Sequence, residues 1–484
     1  MNLINLPYYF LFVPLILSGV NILQNFKTTN KIITISAVSF ILGLSLYLIP
    51  EVLPNITLQN KVNNSLLFIM GEYKINLINL IFIILIFFIK LISFMFFDDT
   101  KIYAKKLNFF FAIYLINYFS ICGILISDNL FNIFIYLEFY SFTLYNLMSD
   151  YKQINYNNAS YRYYNNGVIG SLFFMMFIFV VYFSFNSSDM TYISNNLDLI
   201  KNNYIYNASV LLLLMAIIFK FFSFNFYFAS PLKSSEITNM LFINIFFADV
   251  VLGIYVLRKT LYSLFDLNVV FNVFQLRYLF FLGGSFLIIY SAYKLYARKN
   301  LMPNIYSFSL FILGYVIILM GIDNNYSFVS MILFLMHHIL IDFLFYIIVI
   351  LCLFLFHKTD IPVLYAFNKY RYIIYSIVLS KMLFPIAFGF SSSWNFVLAI
   401  VEGKYYYLFI PFIIEKLSII LLFVKYYFVF CKEPRDGLCN VSIDQTINFK
   451  MDFVMIIAII IFLIFAVSIF ESNINNALFD FIKG

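Results

Sequence analysis

Apolar runs of about 18 to 25 residues recur along the whole chain, each long enough for a helix to cross the hydrocarbon core of a bilayer. They lie at 7–24, 32–49, 76–97, 108–127, 130–148, 167–186, 206–228, 238–257, 274–293, 304–322, 328–356, 372–390, 394–430 and 452–471, with boundaries free to shift by a turn. Of 484 residues, 63% are hydrophobic and 11% charged, against roughly 25% charged in a soluble domain. That excludes an ordinary globular enzyme. The expected fold is all-α, a polytopic membrane helical bundle of about fourteen passes. The runs at 328–356 and 394–430 exceed one straight span, which predicts tilt, a break or an additional short helix.

The net charge of +7 comes from basic residues scattered singly between apolar runs, so they read as topology signals and not as a nucleic-acid surface. If the runs alternate, loops after odd-numbered spans carry about 18 Lys and Arg and the other side about 8, which places the first set in the cytoplasm and both termini on the outer face. No loop is long enough for a folded extramembrane domain. Cys122, Cys352, Cys431 and Cys439 form no CxxC pair, so neither zinc nor an iron–sulfur cluster is expected. The N-terminus shows no cleavable signal, and Pro7 to Leu23 can serve as a first span of an inner-membrane protein. Pro231 after the seventh run, and Pro385 with Gly389 in the twelfth, predict broken helices at matching places in two halves, an arrangement tolerated where backbone lines a polar cavity.

A charge at the centre of a membrane helix costs about 2.5 to 3.5 kcal/mol on insertion scales, so each one needs a reason. Glu138 follows Asp128 by about 15 Å of helix rise, which puts it near mid-bilayer, where burial disfavours a carboxylate unless a cation stands close. Its functional reading is a proton or ion site; the plain one is a pair with a neighbouring helix. Lys220, mid-span in the seventh run, is the natural cation, with snorkelling as its plain reading. His337 and His338 sit in the eleventh run with Asp342 one turn beyond His338, a spacing that suits a proton relay or a helix-to-helix hydrogen bond. Asp249 in the eighth run and Lys90 in the third are weaker candidates: Asp249 can pair locally and Lys90 can snorkel.

These residues carry a resemblance. The run DNLFNIFIYLE, the stretch YYNNGVIGS, the lysine-bearing seventh span ending FASP, LGIYVLR, and YSAYKLYARKNLMPNIYSFSLFILGY resemble the proton-translocating antiporter-like subunits shared by complex I and the multisubunit Mrp sodium/proton antiporters, over nearly the whole chain. Arg298-Lys299-Asn300-Leu301, Tyr306-Ser307 and Gly314-Tyr315 fit the family's basic loop and following span in order, and His337-His338-Ile339-Leu340 looks like the HHILVK run of the D-type Mrp protein. The N-type protein of complex I is the near rival, with the M and L types behind it. The resemblance implies fourteen core helices with two inverted five-helix repeats, each containing a broken helix. It divides the chain into N-terminal helices (1–107), a first repeat (108–258), a second repeat (274–430) and a C-terminal loop and helix (431–484). It matches Glu138 to the family's fifth-span glutamate, Lys220 to its seventh-span lysine and His338 to its central histidine. It implies no cofactor, other membrane subunits as partners in the bilayer, and protons and Na+ as the ions handled.

The departures are as specific. The family has a lysine where Val251 stands, a lysine at the place of Asp342, and a lysine or glutamate where Ser393 stands. Under a conduction model, the gap in the axis must therefore be bridged by water or by substitutes such as Asp249, Lys381 or Glu402. Three readings follow: a proton-conducting subunit of an Mrp-type cation/proton antiporter, an N- or M-like subunit of a proton-pumping NADH:quinone oxidoreductase, and a divergent paralogue that only packs against partners.

Overall fold

A computed structural model of the chain describes residues 6–23, 27–52, 57–60, 73–95, 107–149, 154–196, 204–222, 248–265, 276–297, 300–356, 361–362, 364–365, 371–381, 390–431, 475–476 and 478–479. In lipid every backbone polar group must find its partner within the chain, which selects helices, and helices dominate. They are α1 (Leu6–Leu23), α2 (Lys27–Val52), α3 (Leu77–Met95), α4 (Leu107–Ile126), α5 (Leu130–Ser149), α6 (Ile154–Phe185), the short α7 (Met190–Asn195), α8 (Tyr204–Ile217), α9 (Asp249–Leu264), α10 (Leu276–Ala297), α11 (Leu301–Ile322), α12 (Asn325–Phe356), α13 (Arg371–Ser380), α14 (Phe390–Gly403) and α15 (Phe409–Cys431). Among the described residues, seven helices are long and apolar enough to cross a membrane. The protein is an all-α polytopic membrane protein in which, among the described residues, β1 (Thr57–Asn60) and β2 (Tyr73–Asn76) pair as a small antiparallel ladder before α3.

The over-long runs resolve differently. Residues 328–356 lie in one continuous helix, α12, whereas 394–430 breaks at Lys404, which takes a positive φ of 58°, and a single 3-10 turn at Tyr406–Leu408 leads into α15. In the run at 372–390, α13 covers Arg371–Ser380 and α14 begins at Phe390, with 382–389 outside the described residues. Pro231, Pro385, Gly389 and the run at 452–471 lie outside the described residues.

Two compact units divide the chain: Met1–Tyr227 with Ser235–Phe274, and Phe228–Ser234 with Gln275–Gly484. In the first, α4 is the hub, touching α1, α2, α3, α5 and α9. Its apolar window is 89% buried against 33% in α6, whose Phe179 and Phe183 face outward as a lipid-exposed surface would. The α4–α5 turn is fixed by polar contacts: Asn129 Oδ1 accepts from the Phe131 backbone N–H at 2.9 Å as the α5 N-cap, Lys74 Nζ pairs with Asp128 at 2.6 Å, and Lys259 donates to the Ser127 carbonyl. In the second unit α11 is the hub, in contact with α10, α12 and α14. Gly284 and Gly314 face each other so closely that a Cβ on either would come within 2.6 or 2.8 Å of the other's carbonyl oxygen, the small-residue crossing typical of membrane helices.

Candidate functional site

α5 carries Glu138 and α8 leads to Lys220. The last turn of that helix widens into a π-helix at Ile218–Phe222 with Lys220 at its middle, a distortion that recurs at functional positions because it re-aims one side chain out of the regular ladder. α6 approaches this turn at Gly170, where a Cβ would lie 2.9 Å from the Lys220 backbone nitrogen. The close approach brings Ser171 alongside. Lys220 Nζ donates to Glu138 Oε1 at 2.6 Å and to Ser171 Oγ at 2.8 Å. The serine hydroxyl lies 2.5 Å from Glu138 Oε1 and 2.8 Å from the Gly167 carbonyl, so its single proton can go to either.

The pair is asymmetric. The lysine side chain is 4% exposed and the glutamate 42%, because Glu138 lines a cavity of about 390 Å³ with Phe134, Phe142, Tyr164 and Gly167 on the flank of α5 and α6. A buried cation thus meets a carboxylate that has one open side. Such a pair can gain or lose a proton at the carboxylate without exposing the lysine.

Asp249 sits behind this pair, at the start of α9, and is 1% exposed. Its carboxylate accepts from the Tyr140 hydroxyl of α5 and from Tyr163 of α6, and Tyr163 also lies within electrostatic reach of Glu138. The local-pairing reading of Asp249 therefore gives way to a link between helices. Lys90 is its electrostatic counterpart. The snorkelling reading of Lys90 is overturned: it is fully buried, donates to Asn117 Oδ1 at 2.8 Å, and lies 5.3 and 5.9 Å from the Tyr114 and Tyr118 ring centres. The side chain faces α4, where Asn117 accepts its hydrogen bond. Val251, two residues beyond Asp249, is buried and apolar.

The second unit holds a separate set. His337 is fully buried on α12; His338 lies on the same helix, with its side chain outside the described residues. Asp342, expected to support His338, is ion-paired with Lys381 at the end of α13, both side chains 1% exposed. Lys381 Nζ also stands 3.6 Å from the Phe308 ring centre. A carboxylate that the sequence reading passed over completes the set: Glu415 of α15 is 0% exposed, accepts from the Tyr315 hydroxyl at 2.9 Å, and pairs with Lys416 at 2.8 Å. Lys381 lies within electrostatic reach of both Glu415 and Lys416. Ser393 bonds the Phe390 carbonyl at the start of α14, and Glu402 is exposed at the far end of that helix, apart from the buried set.

The family model described as NADH:quinone oxidoreductase/Mrp antiporter, TM, matches residues 127–418. The chain belongs to this family. It is a proton-translocating antiporter-like membrane subunit. No curated protein sequence matches it. Among solved structures, a chain of the archaeal membrane-bound sulfane sulfur reductase is similar at 14% identity, with a TM-score of 0.74, over 98% of this chain and 95% of that one. A chain of the Thermus thermophilus respiratory complex I, solved with bound aureothin, is similar at 13% identity and a TM-score of 0.72, over 97% and 99%. A chain of the Mrp complex from Dietzia sp. DQ12-45-1b is similar at 13% identity and a TM-score of 0.69, over 90% and 81%. At these identities the likeness is one of fold.

The family match spans Glu138, Lys220, Asp249, Asp342, Lys381 and Glu415 alike. Glu415 and Lys416 had a visible signal, two charges inside FIIEKLSIILL, but the run containing them looked too long for one helix and drew attention to its break. The tyrosines that complete the sites, Tyr140, Tyr163 and Tyr315, had none, since the chain holds 39 tyrosines.

Proposed function

We propose that the chain is the proton-conducting membrane subunit of a multisubunit monovalent cation/proton antiporter, similar to the D-type protein of Mrp complexes. Protonation of Glu138 releases Lys220, and the exchange couples proton movement to movement of a cation, with Na+ the expected one. The observation that carries this reading is the Glu138, Ser171 and Lys220 cluster: a carboxylate with an open side held 2.6 Å from a buried ammonium by a serine that can bond either. Asp249 extends the pathway through Tyr140 and Tyr163 toward Lys90. His337, His338 and Asp342 supply its second half. The fold belonging to this reading has fourteen spans and two inverted five-helix repeats, at 108–258 and 274–430, between the N-terminal helices of 1–107 and the C-terminal segment of 431–484. It sits in the inner membrane with both termini outside. The test is Lys220→Ala in the assembled complex. Loss of cation-dependent proton flux in vesicles without loss of assembly supports the reading; unchanged flux contradicts it.

A second reading, an N- or M-like subunit of a proton-pumping NADH:quinone oxidoreductase, is favoured by the near-complete coverage of the complex I chain, 99% against 81% for the Mrp chain. Purification separates the two. Flavin and iron–sulfur subunits among the co-purifying proteins favour complex I; a set limited to membrane proteins favours the antiporter.

A further inference from the structure

The second unit buries two carboxylates and two lysines together, and these divide unequally. Asp342 and Lys381 form an ion pair with both side chains almost fully buried, although neither Asp342 oxygen nor Lys381 Nζ has a hydrogen-bond partner among the described residues. Glu415 is fully buried too, with one oxygen served and the other bare. Its Oε2 takes the Tyr315 hydroxyl at 2.9 Å and the Lys416 ammonium at 2.8 Å, while its Oε1 is buried without a hydrogen-bond partner among the described residues. An ionised carboxylate oxygen left bare in a water-poor interior is costly, and a neutral carboxyl is far less so. Lys416 follows Glu415 directly on the helix, so the two side chains leave the axis in different directions. Lys416 keeps 16% of its side chain exposed and lies 5.2 Å from the Phe412 ring centre. Lys381 interacts electrostatically with Glu415 while its ammonium is paired with Asp342.

We propose that Glu415 is the proton-carrying carboxylate of the second unit, binding a proton at Oε1 while Lys381 is paired with Asp342 and releasing it when Lys381 turns toward Glu415. The bond that breaks is the carboxyl O–H. The proton passes through water to Asp342 as Lys381 leaves it, so Asp342 becomes neutral while the Lys381 ammonium, already charged, compensates the new Glu415 carboxylate. Tyr315 holds Oε2 through both states and positions the group. This assignment rests on the proposed proton-conducting function and supplies a residue for the half of the chain where Asp342 and Ser393 stand in place of the family's usual charges.

The experiment compares Glu415→Gln, Glu138→Gln and the unaltered chain, each in the complex purified from its own host and reconstituted in vesicles with a pH-sensitive dye inside. Glutamine keeps the acceptor for Tyr315 and Lys416 but cannot carry the proton. The expected result is a loss of proton flux of roughly a hundredfold in both variants. Infrared difference spectra between acid and alkaline buffer should show a protonated carboxylic acid band that Glu415→Gln removes. Flux lost in Glu138→Gln but unchanged in Glu415→Gln overturns the assignment and leaves the proposed function standing. Flux unchanged in both overturns the proposed function and this assignment with it. If Glu415→Gln does not assemble, Tyr315→Phe removes only the phenolic donor: slowed flux supports the assignment, and unchanged flux overturns it.

Discussion

The two units solve the same problem, charge in a lipid-solvated bundle, in opposite ways. The first spreads its charges over α3, α5, α8 and α9, joins them through Ser171 and two tyrosine hydroxyls, and leaves Glu138 open on one side. The second gathers Asp342, Lys381, Glu415 and Lys416 into a set in which three of the side chains are 1% exposed or less. An open carboxylate can be reached by a proton before its lysine moves. A closed set can change protonation only if one of its own cations moves. The difference also decides what each ion pair does for stability, since a lone Glu138 keeps the Ser171 hydroxyl whereas a lone Asp342 keeps no hydrogen-bond donor among the described residues.

The largest expected effect tests that contrast. Lys381→Met leaves Asp342 buried without its cation and should destabilise the protein by about 3–5 kcal/mol, whereas Lys220→Met should cost clearly less because Glu138 keeps the Ser171 hydroxyl as a donor. Thermal unfolding of the purified complex in detergent measures both, and equal losses would break the comparison. A neutralising pair, Asp342→Asn with Lys381→Met, should recover most of the loss of the single change.

Next in size are substitutions at close helix approaches. Gly170→Ala forces a methyl against the Lys220 backbone and should cost about 1–3 kcal/mol while also slowing flux, because it pushes α6 off the π turn. In the second unit Gly284→Ala should cost a similar amount. Its neighbour Gly283, which has nothing within 4 Å, should accept alanine without measurable loss in the same melt, and a loss there would contradict the geometry.

Smaller still is Ser171→Ala. It removes one hydroxyl from the Glu138 and Lys220 pair, worth about 0.5–1.5 kcal/mol, and should slow flux without abolishing it. A full loss of flux would make the serine an obligatory carrier and not a positioning group. The mildest test is chemical. A hydrophobic carbodiimide should label Glu138 ahead of Glu415 or Asp342, as mass spectrometry of peptides can read, since Glu138 borders an open cavity while the other two are closed in.

Much of the bundle was legible because lipid makes the rule simple: long apolar runs become helices. Glu138 and Lys220 stood out because each lies far from the ends of its run, and proximity in space then followed from the fold. What the sequence concealed was direction. Lys90 has the same helical reach whether it faces lipid or α4, and only the fold shows it against Asn117. Glu415 and Lys416 are visible as two charges inside FIIEKLSIILL, but their spacing does not show that Glu415 faces Tyr315. The ladder at 57–60 and 73–76 has no alternating apolar face long enough to announce it. Asp342 was paired by helical spacing with His338, whereas its described partner, Lys381, comes from residues distant in the chain that no spacing rule connects.

The most direct measurement is proton flux through the purified complex in vesicles with Glu138→Gln beside the unaltered chain at equal assembly. The expected result is loss of cation-dependent flux by roughly a hundredfold, with Glu138→Asp retaining part of it. Flux equal to that of the unaltered chain in Glu138→Gln would contradict a proton-carrying role for the Glu138 and Lys220 pair.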